Sequence, residues 1–90
     1  MTNLNSVAQA NGKLYKEYVV TIKSTVYIVF ISYEMSGGLN FINIYKKTAN
    51  PFGLGVGFGK KDYKSFDDAA AAYKLPEIKA ALLQIETGII

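Results

Sequence analysis

The chain has 90 residues, half of them apolar and 19% charged, with a formal net charge of +3. That balance describes one small globular domain and excludes a disordered tail. Cysteine and histidine are both absent, which removes disulfides, thiolate or imidazole metal sites and the commonest catalytic bases and nucleophiles.

All ten basic residues are lysine. Lysine suits phosphate contacts, whereas arginine forks dominate base-specific readout. Heavy use of lysine, asparagine, isoleucine and tyrosine suggests an AT-rich genome, such as that of a phage or mobile element. The polar first dozen residues carry no basic, apolar leader pattern, and the longest apolar run, residues 26–31, is too short to span a bilayer. A cytoplasmic protein without membrane contact is the expectation.

Residues 1–12 lack a sustained period and read as a flexible N-terminal arm. Residues 13–90 read as a single ββββα domain. The first strand covers residues 14–23, where Tyr18, Val20 and Ile22 alternate with Val19, Thr21 and Lys23. The second, residues 26–35, is apolar on both faces through Ile31, as in a central strand. Ser36, Gly37 and Gly38 form a hairpin turn. The third strand, residues 39–47, places Phe41, Asn43, Tyr45 and Lys47 on one side and Ile42 and Ile44 on the other.

A loop at residues 48–51 leads to a fourth strand at residues 52–60, where Gly53, Gly55, Gly57 and Gly59 alternate with Phe52, Leu54, Val56 and Phe58. Such a strand leaves one face bare, so another backbone, ring or phosphate chain can approach closely. It is not a phosphate-binding loop: Leu54 and Lys61 stand where a Walker A motif needs glycine and a hydroxyl residue. Val56 and Phe58 likewise replace the glycines a dinucleotide fingerprint needs.

Ser65 is placed to cap a helix with Asp67 and Asp68 in its first turn, followed by an alanine run. Pro76 breaks that helix at Leu75 and restarts it, and Ile78, Leu82 and Ile85 form its apolar stripe up to Gly88. The predicted fold is therefore α+β, a four-stranded antiparallel sheet and one broken C-terminal helix. One helix covers only one sheet face, so dimerisation through the sheet is expected.

The seven acidic residues are scattered apart from Asp67 and Asp68, which capping explains, so neither an enzyme nor a metal or cofactor site is expected. Phe41 and Tyr45 with Asn43 and Lys47 suit base stacking, or else core or dimer contacts. Lys47, Lys60, Lys61 and Lys64 would meet phosphates, with Lys60 and Lys61 at the opposite end of the sheet from Lys46 and Lys47. The leading expectation is non-enzymatic, weakly selective binding of single-stranded nucleic acid by a homodimer. The alternative is a small inhibitor or adaptor that docks on a protein by a sheet edge or the glycine face.

Overall fold

The computed structural model describes residues 2–47 and 61–90. Strands β1 (Thr2–Ala10), β2 (Lys13–Ile22), β3 (Thr25–Glu34) and β4 (Leu39–Lys47) run up and down in chain order. A short β5 (Asp62–Tyr63) precedes helices α1 (Phe66–Ala72) and α2 (Pro76–Glu86). The sheet order is β1-β2-β3-β4-β5, and every pairing is antiparallel. Neighbours in sequence are neighbours in the sheet, and tight turns join β1 to β2, β2 to β3 and β3 to β4.

Each of these three turns uses a positive φ, the β2–β3 turn through Lys23 (φ 56°). Asn11 (φ 53°) and Gly12 (φ 75°) close the β1–β2 hairpin, the geometry that gives Asn-Gly turns their right-handed match to the strands. Gly37 (φ 106°) sits in the β3–β4 turn, where Glu34 N–H donates to the Gly38 carbonyl at 2.7 Å. Met35 N–H also donates to the Gly12 carbonyl at 3.2 Å, which joins the two turns at one end of the sheet.

Two expectations are corrected. Thr2–Ala10 is no loose arm but strand β1, paired with β2 along its length. The described sheet has five strands, not four; the helical region does break before Pro76, into the two helices α1 and α2. The place beside β4 belongs, over Ile42 and Asn43, to β5. The glycine-alternating segment, with Gly53, Gly55, Gly57, Gly59 and Lys60, lies outside the described residues, as does the loop before it.

The helix signals act where the sequence places them. Ser65 Oγ accepts the Asp68 backbone N–H at 3.0 Å, with Asp67 and Asp68 in the first turn of α1. Tyr73 leaves α1 in an extended conformation, and Pro76 opens α2 at its first turn. Tyr73 Oη donates to the Ile44 carbonyl at 3.0 Å, fastening the inter-helix link to β4.

One sheet face builds the core. Tyr18 and Val20 of β2, Val29 and Ile31 of β3, and Ile42 and Ile44 of β4 bury against Ala69 of α1 and the stripe Ile78, Ala81, Leu82, Ile85 of α2. Alternation then sends the intervening residues of each strand to the opposite face.

Candidate aromatic binding face

The face away from the helices is defined by register. On β2 it carries Lys13, Tyr15, Glu17, Val19 and Thr21, opposite Glu34, Ser32, Phe30, Ile28 and Val26 of β3. Phe41, Asn43, Tyr45 and Lys47 of β4 continue it, opposite Ser32, Phe30, Ile28 and Val26. The four β4 residues singled out in the sequence therefore do share one face. Asp62 of β5, opposite Asn43, completes the face on that side.

Three rings form a row across the middle strands. Tyr15 and Phe30 stack with centroids 5.7 Å apart and planes 23° from parallel, and Phe30 meets Phe41 at 6.1 Å and 34°. All three are half-buried. Tyr15 and Phe30 are the site residues that the sequence alone did not single out, since only pairing register brings them beside Phe41. Tyr45 lies opposite Ile28, away from the row. Burial raises its phenol pKa above the ordinary value, and the Glu17 charge adds to that shift.

Beneath and beside the rings the polar groups are engaged. Asn43, buried, donates from Nδ2 to Asp62 Oδ1 at 2.7 Å, and Asn40 Nδ2 donates to Ser32 Oγ at 3.3 Å. Glu17 accepts from Asn5 Nδ2 of β1. Lys13 and Glu34 form an ion pair at 3.2 Å at the turn end of the face.

The lysines are distributed differently from the sequence expectation. Lys61 directly precedes β5, so it lies beside the middle of β4 rather than at the far end of the sheet. Its ammonium stands 5.7 Å from the Tyr63 ring centroid. Lys64 follows β5 and is exposed, and Lys47 is exposed at the C-terminal end of β4. The structure thus gathers Phe41, Asn43, Tyr45 and Lys47 on β4 and sets Lys61 and Lys64 around its β5 edge, while Lys60 is outside the described residues.

Among the described residues, no three histidine, cysteine or acidic side chains converge as a metal site would require. No helix among them is long and apolar enough to cross a membrane. No protein-family model, curated protein or solved structure matches the chain. The class is therefore defined by its own geometry: a small α+β domain with an antiparallel sheet, helices on one face and a ring-lined second face.

Proposed function

We propose that this domain binds single-stranded nucleic acid, without catalysis and with weak sequence preference, across the sheet face opposite its helices. The observation that carries the reading is the Tyr15–Phe30–Phe41 row, three adjacent rings on a helix-free sheet face. Unpaired bases stack on such rings at about 1–3 kcal/mol each, and every base has a face to offer. Lys47, Lys61 and Lys64 around β4 and β5 supply phosphate contacts, and the overall charge of +3 favours a polyanion.

A second reading, a small protein-binding module, is favoured by Glu17, Glu34 and Asp62 on the same face, because carboxylates repel phosphate. A salt series with a fluorescent single-stranded oligonucleotide separates the two. Nucleic-acid binding weakens steeply with salt, and removing Lys47 or Lys64 lowers the slope by about 0.7 for each lost phosphate contact. Phe41→Ala or Tyr15→Ala lowers affinity with the slope unchanged. No binding at low salt would leave the protein-partner reading.

A further inference from the structure

We infer that the outer edge of β1 is a self-association edge, on which a second copy of this chain adds its own β1 to form a continuous two-fold sheet. Natural edge strands are usually blunted by charge, proline or brevity. The β5 edge follows that rule, being only two residues long and flanked by Lys61 and Lys64. β1 does not: nine residues run from Thr2 to Ala10 without a charge or a proline. Among the described residues, its outer side pairs with no other strand.

A bulge decides what that edge displays. The β1–β2 register shifts between Leu4 and Ser6, so Leu4 and Val7 both align with residues of the helix-side face, Tyr18 and Lys16. Without the extra residue they would point to opposite faces. They remain 44% and 51% exposed. Two apolar side chains thus sit together on an uncharged edge, the composition expected of a seam and not of a solvated rim.

The bulge also makes the strand self-complementary. Thr2, Leu4, Val7 and Gln9 face the helix side, while Asn3, Ser6 and Ala8 face the ring side. Antiparallel pairing about a two-fold axis between Asn5 and Ser6 sets Leu4 opposite Val7 of the second copy, Thr2 opposite Gln9 and Asn3 opposite Ala8. Every residue meets one on its own face, and no like charges meet. The apolar pairs from both copies then form one cluster along the seam. This pairing uses the β1 edge and not the ring face, so the inference does not rest on what that face binds.

Sedimentation velocity on the full chain across the micromolar range tests it, with Val7→Lys and Phe41→Ala beside the wild type. Far-ultraviolet dichroism checks that each variant is folded. The expected result is a concentration-dependent dimer that Val7→Lys weakens by about tenfold or more and Phe41→Ala leaves intact. Amide exchange on the wild type should show concentration-dependent protection confined to β1, which decides the matter even if the lysine variant fails to fold. A monomer at every concentration overturns the inference. So does a dimer that ignores Val7→Lys, or one that Phe41→Ala disrupts, because either assembles through another surface.

Discussion

Phe41 and Ile42 are consecutive on β4 and face opposite ways, so truncating each in turn separates a binding surface from a core. Ile42 is 0% exposed and lies in the cluster with Ile31, Ile44 and Leu82. Deleting most of such a side chain costs about 2–5 kcal/mol, and a site closed on every side belongs near 4. Phe41 is partly buried, and among the described residues its ring neighbour is Phe30. Burial of most of an aromatic side chain is about 1–2 kcal/mol, and one ring pair adds about another 1, giving about 2–3 kcal/mol for Phe41→Ala. The two variants should then differ by about 4–16 °C in Tm, with Ile42→Ala the lower. Thermal melts followed by dichroism, backed by urea titration, measure that gap. If Phe41→Ala melts at or below Ile42→Ala, the ring row is covered in solution and is structural, and the stacking argument fails.

Three further outcomes follow from single features of the fold. Ser65→Ala removes the α1 cap and should cost about 1 kcal/mol, a fall of about 4–8 °C in Tm, with oligonucleotide affinity unchanged. Gly12→Ala forces a side chain into φ +75°, where open space offers no clash but the backbone strain alone costs about 1–2 kcal/mol; denaturant titration reads it directly. Tyr18, Tyr33, Tyr45 and Tyr73 all have raised phenol pKa values, in each case chiefly through burial. A raised folded-state pKa means the native state holds its proton longer, so this stabilisation is complete below the unfolded value of about 10 and is lost as pH rises through the folded value. Melts in alkaline buffers should therefore decline from about pH 10 upward as these phenols ionise, and a spectroscopic titration with all phenols ionising at the unfolded value would contradict the assignment.

The parts of the fold legible in the sequence are those fixed by local chemistry. β2, β3 and β4 carry β-branched and aromatic alternation, and Leu39–Lys47 has the predicted bounds. Ser65, Pro76 and Gly88 punctuate the helices by capping and backbone restriction alone. β1 was illegible by propensity because asparagine, glutamine, serine and alanine dominate it, and its apolar residues sit three apart across a bulge. The Asn11-Gly12 pair was nevertheless a strong hairpin signal, and a hairpin needs a strand before it. β5 is two residues whose pairing with Ile42 and Asn43 is a tertiary fact. The same holds for the ring row: alternation assigns Phe41 a face, but only register across three strands puts Phe30 and Tyr15 next to it.

The charge of the ring face bears directly on its ligand. Counted as bare side chains, Glu17, Glu34 and Asp62 oppose a polyanion, yet each has a partner within the chain: Asn5, Lys13 and Asn43 respectively. Among the described residues, Lys47 and Lys64 have no ion-pair partner. Glu34 is paired with an ammonium and stands at the turn end, whereas Glu17 and Asp62 are each held by an amide; of these two, Glu17 lies opposite Phe30, the central ring of the row. Two unit charges about 10 Å apart in water interact by about 0.4 kcal/mol, close to a twofold change in affinity, and salt erodes it further. Glu17→Gln should thus tighten single-stranded oligonucleotide binding about twofold at low salt and have no effect at high salt. A protein partner bearing basic side chains would show the opposite sign. Fluorescence anisotropy at two salt concentrations gives both readings, and a weaker oligonucleotide complex with Glu17→Gln at low salt would mean that the bases do not cross this face.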